Sequence, residues 1–398
     1  MAKNRGGQEF KNIEKIFDQL SSSVAIALLK EDKLAYEFYG GRKAALAGNG
    51  KAAPAGNGKA ALAGNGEADA RQRGKADGKK VDGKSAADDK KAAGKTAADK
   101  SAADKHAETG ISRITRFNIG SASAMFTGAL AIKLMEFGEV RLSDAARRFI
   151  PEFPYDDVTV YHLMTHSSGL GSECIPLPEN QAARKEFYRK LFSGLKPIGI
   201  PGQKSDYFQY DYAILAYIVE KISGQTLEEL ASVLLFMPLG MKNTTFNGAA
   251  LRDNQYVIPW NHRENRFMTE LHAKQPTGQG GAYTTALDLL RFGRVFLNRG
   301  EFEGKQVFLG SSVEFMLREI SNGRLSRTPL FMIKRKADVF GCFSEKLSPE
   351  SVALTGHTGA ILFIDPVRRI VGTALANTTW VDAVSQNYGN IIDILMTI

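Results

Sequence analysis

Three observations in the sequence predict a single folded unit that mixes strands and helices. The chain has 398 residues and 43% hydrophobic content, enough to bury a large core in a single unit. Val24–Phe38 holds two strand-like runs around Leu28-Leu29-Lys30-Glu31-Asp32-Lys33-Leu34, which carries the turn between them. Leu227–Phe236 and Leu287–Leu297 are helical runs, and Glu9–Leu20 reads as an amphipathic helix leading into the strands.

An insertion interrupts this pattern after the second strand. Gly41–Gly110 opens with Lys43-Ala44-Ala45-Leu46-Ala47-Gly48-Asn49-Gly50, repeats it in two near-copies from Lys51 and Lys59, and contains no Phe, Trp or Tyr. Such a stretch cannot offset the entropy of ordering, so 41–110 is expected to be a disordered loop. It carries fifteen Lys and Arg against nine Asp and Glu, and so supplies most of the chain's formal charge of +9. Basic character can draw a chain toward nucleic acid, acidic polymer or a membrane surface. Interspersed acids and absent aromatics favour a solvated spacer, and no specific nucleic-acid binding is expected.

The chemistry begins at Phe117-Asn118-Ile119-Gly120-Ser121-Ala122-Ser123-Ala124-Met125-Phe126-Thr127-Gly128. Taken alone, Ser121 before an apolar helix is an N-cap. Five further segments follow in order: Thr159-Val160-Tyr161-His162-Leu163-Met164-Thr165-His166-Ser167-Ser168-Gly169-Leu170; Pro201-Gly202 through Tyr207, Tyr212, Leu215 and Glu220; Pro238-Leu239-Gly240-Met241; Gly280-Gly281-Ala282-Tyr283-Thr284-Thr285 with Asp288-Leu289-Leu290; and Gly356-His357-Thr358-Gly359-Ala360. In this order the segments resemble the serine beta-lactamase and DD-peptidase superfamily, particularly its class C beta-lactamase-like branch of esterases, peptidases and acyltransferases. The likeness covers about residues 10–40 and 112–398.

That resemblance implies an α/β plus all-α, beta-lactamase/transpeptidase-like fold, an antiparallel sheet flanked by helices with an inserted helical lobe. A single domain over 1–398 would place 8–40, 112–124 and 286–398 in the α/β lobe and 125–285 in the helical lobe. Closing strands would carry His357 and Asn377 before a C-terminal helix at Asp382–Met396. The resemblance also implies acyl transfer through a serine acyl-enzyme. Ser121 then corresponds to the nucleophile and Tyr207 to the proton-shuttling phenol. Gln209 stands where an asparagine amide would orient a substrate carbonyl, its extra methylene displacing that amide. Thr358 and Gly359 belong to the third motif, and the N–H of Ala360 joins that of Ser121 as the oxyanion hole. His357 replaces the lysine found in many beta-lactamases and favours non-lactam esters or amides.

Ala124 departs from the pattern, because the first motif should read Ser-x-x-Lys. A lysine three residues after Ser121 on a helix would share its face and take its proton; alanine cannot. An isolated phenol titrates near ~10, so without that cation Tyr207 stays protonated at neutral pH. Loss of one general base commonly costs about 10²–10⁴ in rate, which predicts that this chain acylates slowly or not at all. Lys133 lies more than three helical turns beyond Ser121, too far to substitute. His357 is a competent base if it points at Ser121, and otherwise a hydrogen-bonding group for substrate or core. Either a deliberate Lys-to-Ala change or a natural loss explains Ala124.

The remaining signals bound the function. His162 and His166 stand four apart as in a zinc motif, but position 163 is Leu and no third ligand suggests itself; no metal or other cofactor is expected, and His166 reads as a turn brace. Cys174 and Cys342 lack CxxC spacing and read as reduced thiols. The N-terminus lacks a signal-peptide core and no run approaches ~18 apolar residues, so a cytoplasmic location without a membrane span is expected. The expected partner is a small-molecule or peptide substrate. Two classes of function follow: a serine hydrolase or acyltransferase for esters, amides or small peptides, impaired at Ala124, or a pseudoenzyme that binds a ligand in the same cleft.

Overall fold

The computed structural model describes residues 23–40, 110–252, 255–261, 264, 266–269, 271, 274–325, 327–334, 343–379 and 381–397, without the side chains of 381–387. The expected helix at Glu9–Leu20, the insertion apart from Gly110, and Cys342 lie outside the described residues. The main elements are β1 (Val24–Lys30), β2 (Lys33–Gly40), β3 (Arg116–Asn118), α1 (Ala124–Glu136), α2 (Val160–Met164), α3 (Gln181–Gly194), α4 (Tyr210–Ser223), α5 (Leu227–Ala231), β4 (Tyr256–Val257), β5 (Tyr283–Thr284), α6 (Ala286–Leu297), α7 (Gly310–Leu317), β6 (Met332–Ile333), β7 (Val352–Gly356), β8 (Ala360–Asp365), β9 (Ile370–Ala376) and α8 (Val381–Leu395). Of the helices anticipated from sequence, the run at Leu287–Leu297 and the C-terminal helix each shift by one residue. The run at Leu227–Phe236 is α5 followed by a π-helical turn, Ser232–Phe236.

Six antiparallel strands form the principal sheet in the order β6-β7-β8-β9-β1-β2. Segments far apart in the sequence meet in it, since β1 pairs with β9 from Val24 opposite Ala376 to Lys30 opposite Ile370. Strand side chains alternate faces, and both faces of β1 are covered. Val24, Ile26 and Leu28 pack with Tyr388, Ile391, Ile392 and Leu395 of α8, whereas Ala25, Ala27 and Leu29 belong to the main core with α6. Burial on both sides explains why β1 reads Val-Ala-Ile-Ala-Leu-Leu, nearly all apolar, instead of alternating with polar residues. Helix α6 lies on the sheet so closely that a Cβ on Gly293 would come within 2.3 Å of Val371 Cγ1.

The β1–β2 turn uses Glu31 and Asp32 at φ 48° and 62°, a left-handed conformation that costs a non-glycine residue energy. Asp32 offsets that cost by accepting from Arg294 Nε at 3.1 Å and Asn298 Nδ2 at 2.9 Å and by pairing with Arg369, which ties the turn to α6 and to the β8–β9 hairpin.

Most of the chain between Ala124 and Thr284 is helical or irregular. Its centre is α1, buried on nearly every side, where Phe126 makes edge contacts with Phe236 and Phe292, each at 5.2 Å between centroids. One phenylalanine therefore joins the helical region to α6 beneath the sheet. A small second sheet, β4-β3-β5, delivers the chain from β3 into α1. Among the described residues, no helix is long and apolar enough to cross a membrane.

Candidate active site

The nucleophile motif is held by its own backbone before any side chain is considered. Between β3 and α1 lies a 3₁₀ turn, Gly120–Ser123, whose first residue adopts φ +52° and so favours glycine. Asn118 Oδ1 accepts from Gly120 N at 2.9 Å, and Ser123 Oγ donates to Gly120 O at 2.7 Å while accepting from Ala282 N at 3.0 Å. Ser123 is thereby fully used inside the turn. Ser121, half-buried, projects out of it and donates to Thr355 O on β7 at 3.4 Å. No acidic residue occupies the first turn of α1, so the positive end of the helix dipole faces Ser121 without a competing carboxylate.

Beside it lies the β7–β8 turn, His357-Thr358-Gly359. Gly356 sits against the nucleophile turn so tightly that a Cβ would fall 2.0 Å from Ile119 O. Thr358, fully buried, donates through Oγ1 to Asn118 O at 2.6 Å. Gly359, at φ +86°, donates its N–H to Gly356 O and accepts from Ala376 N, both at 3.0 Å. The His357 imidazole borders Gly120, where a Cβ would come 2.6 Å from Nδ1. Its crowded surroundings lower its pKa, although the residue remains exposed and contact with water moderates that shift. The ring is therefore neutral at neutral pH.

Tyr207 approaches from the opposite side, three residues before α4. Burial raises its pKa, opposed by a hydrogen bond with Ser121 and by the positive charge of Arg327. Crowding applies to the hydroxyl end, since the residue as a whole is 54% exposed, and water tempers the rise. The phenol consequently stays protonated at neutral pH. Ser121, Tyr207 and the turn containing His357 are thus brought to one place from three distant segments.

Other anticipated residues are placed differently. Ala124 is 8% exposed and its methyl belongs to the main core, one turn into the helix after Ser121. Lys133 is engaged elsewhere, with Nζ 2.5 Å from Glu136 Oε2 and 2.8 Å from Val307 O. Gln209 is half-buried immediately before α4, beside Tyr210, whose phenol accepts from Ile175 N at 2.7 Å. His162 Nδ1 accepts from Thr159 N at 3.1 Å, capping α2, while His166 Nδ1 faces Asp211 Oδ2 at 3.2 Å. The two histidines therefore serve separate purposes, and among the described residues no group of three His, Cys, Asp or Glu side chains is placed to hold a metal.

Sequence reasoning missed four contributors: Asn118, the Thr355 carbonyl, Asp211 and Arg327. Backbone carbonyls carry no sequence signal. Asp211 sits among apolar helix residues, where a lone carboxylate gives no motif.

Known proteins share the fold. A protein from Salmonella agona, provisionally named a D-alanyl-D-alanine carboxypeptidase, is 24% identical over 313 residues, covering 66% of this chain and 69% of its own. The octameric penicillin-binding protein homologue from Pyrococcus abyssi superposes with a TM-score of 0.67 at 18% identity, over 99% of this chain and 78% of its own. The D-alanine carboxypeptidase AmpC from Burkholderia cenocepacia gives a TM-score of 0.63 at 21% identity, over 99% and 98%. Both structures share the beta-lactamase/transpeptidase-like fold of an antiparallel sheet with flanking helices. Residues 87–391 match the Beta-lactamase family, and the chain belongs to that family of serine hydrolases.

Proposed function

We propose that Ser121 is the nucleophile of an acyl-transfer reaction on an ester, amide or small peptide, and that Ala124 leaves this chain without its principal base. The observation that carries the reading is the convergence on one hydroxyl: Ser121 Oγ donates to the Thr355 carbonyl at the start of α1, and the Tyr207 phenol lies near enough for Ser121 to lower its pKa. In the reaction, the Ser121 oxygen bonds to the substrate carbonyl carbon as its proton passes to the Tyr207 oxygen and the phenol hands its own proton on to water or to the leaving group. The N–H groups of Ser121 and Ala360 would hold the oxyanion, and Thr358 and Gly359 keep that strand end in place. Collapse of the intermediate expels the alcohol or amine, which takes a proton from the same relay. Water or another acceptor then releases the acyl group by the reverse sequence.

A protonated Tyr207 is a poor base, so the first step is slow without a neighbouring cation. A lysine at position 124 would sit one helical turn from Ser121 in a largely desolvated place, where its own pKa falls and it becomes a base. His357 is neutral and borders the turn, which suits it to binding the substrate or, more weakly, to accepting the proton. Restoring the lysine tests the proposal. Ala124→Lys should hydrolyse members of an ester and amide panel about 10²–10⁴ faster than the present chain, and Ser121→Ala in that background should abolish the gain. A folded Ala124→Lys protein inert across the panel would instead favour the binding reading, in which the cleft holds a ligand without turning it over.

A further inference from the structure

Tyr207 poses a problem of position. The residue is 54% exposed, so packing covers only part of it, yet its phenol lies near enough to Ser121 for the serine to lower its pKa. In a chain with alanine at 124 no ammonium group is available at that position to hold the phenol either.

Directly behind the ring lies a buried polar pair. His166 is 4% exposed and Asp211 is fully buried, with Nδ1 and Oδ2 3.2 Å apart. The His166 ring packs against Tyr207, at 4.9 Å between centroids, and Tyr212, at 5.0 Å. The backbone clamps the same place: His166 O accepts from Asp206 N at 2.8 Å, and Ser205 Oγ donates to Thr165 O at 2.9 Å. The two residues before Tyr207 are therefore gripped by His166 and its neighbour. His166 itself adopts φ +49°, a conformation uncommon for a non-glycine residue.

A buried carboxyl on α4 is costly, and an imidazole held in a left-handed backbone adds to the cost. Replacing such a buried polar pair by apolar residues of similar volume is often neutral or stabilising. Arg327, Ser168 and the Tyr207 and Tyr212 phenols are the other charged or polar groups that face the pair.

Building on the acyl-transfer reading, we propose that His166 and Asp211 are positioning residues for Tyr207. Asp211 orients the imidazole, the imidazole backs the Tyr207 ring, and the His166 carbonyl holds Asp206, which together keep the phenol beside Ser121. Neither residue touches substrate or reacting atoms.

The test has one arm that needs no activity. In the present chain labelled with 3-fluorotyrosine, the Tyr207 signal is assigned by its loss in Tyr207→Phe. His166→Gln and Asp211→Ala should broaden or split that signal, while Asp211→Asn, which retains an acceptor for the imidazole, should leave it near its original position. An unchanged single signal in a folded His166→Gln or Asp211→Ala protein would overturn the proposal. If Asp211→Ala fails to fold, His166→Gln and Asp211→Asn decide the matter.

The second arm uses the Ala124→Lys background with a chromogenic ester. His166→Gln should lower kcat about tenfold or more with KM within about twofold, and Asp211→Asn should recover most of the loss. Equal losses for Asp211→Asn and Asp211→Ala, or a change confined to KM, would contradict the positioning role. If Ala124→Lys is inert, the acyl-transfer reading fails while the fluorine signal still reports on positioning.

Discussion

The two sides of the cleft are built in opposite ways. On the side of the sheet, the Ser121 turn and the His357 turn meet backbone to backbone. Gly356 abuts Ile119 O with no room for a methyl group, and Thr358 bonds directly to Asn118 O. On the side of α4, Tyr207 reaches Ser121 with half its surface in water, steadied by side chains behind it. The first side is rigid because the chain itself is the framework. The second can be altered one side chain at a time. A site of this kind separates stability from chemistry: breaking the first wall should unfold the site, and breaking the second should leave a folded protein with a misplaced phenol.

Substitutions sharpen that contrast, beginning with the rigid wall. Gly356→Ala places a methyl group 2.0 Å from Ile119 O, where neither backbone can retreat without breaking β7 or the nucleophile turn. A loss of about 3 kcal/mol in denaturant unfolding is expected. Thr358→Val keeps the shape and removes the 2.6 Å bond to Asn118 O. It should cost about 1–2 kcal/mol in the same measurement, and a change below about 0.5 kcal/mol would show that the turn is held by packing alone.

The softer wall responds to pH. Burial depresses the folded pKa of His166 well below 6.5, so the unfolded chain binds its proton first as pH falls. Stability from this group is present above pH 6.5 and is lost on acidification, by about 1.4 kcal/mol per pH unit until the folded pKa is reached. His162 and His357 act in the same direction, whereas Asp211, whose folded pKa is raised by burial, acts oppositely above its unfolded value. His166→Gln should therefore flatten the decline in unfolding free energy between pH 6.5 and 5.5 relative to the parent chain; an identical slope would mean that His166 protonates freely while folded. Tyr207→Phe should be the mildest for stability, within about 0.5 kcal/mol, because the ring is already half in water.

Legibility in the sequence follows the same division. Ser121, His357, Thr358 and Gly359 lie in short motifs whose chemistry is local, and the structure brings their segments together. The strand turn at Glu31–Asp32 and the helices ending the chain were readable because apolar spacing and turn residues sit within one window. Asp211 was not, because its meaning depends on a histidine 45 residues earlier in the chain. That partner is not visible from spacing along the chain.

The most direct measurement is intact-mass spectrometry of this chain and its Ala124→Lys variant after incubation with a chromogenic ester, a penicillin and a fluorophosphonate. The account predicts an adduct that maps to Ser121 and accumulates in the Ala124→Lys protein, with little or none in the parent. An adduct in neither protein, or one on another residue, would contradict it.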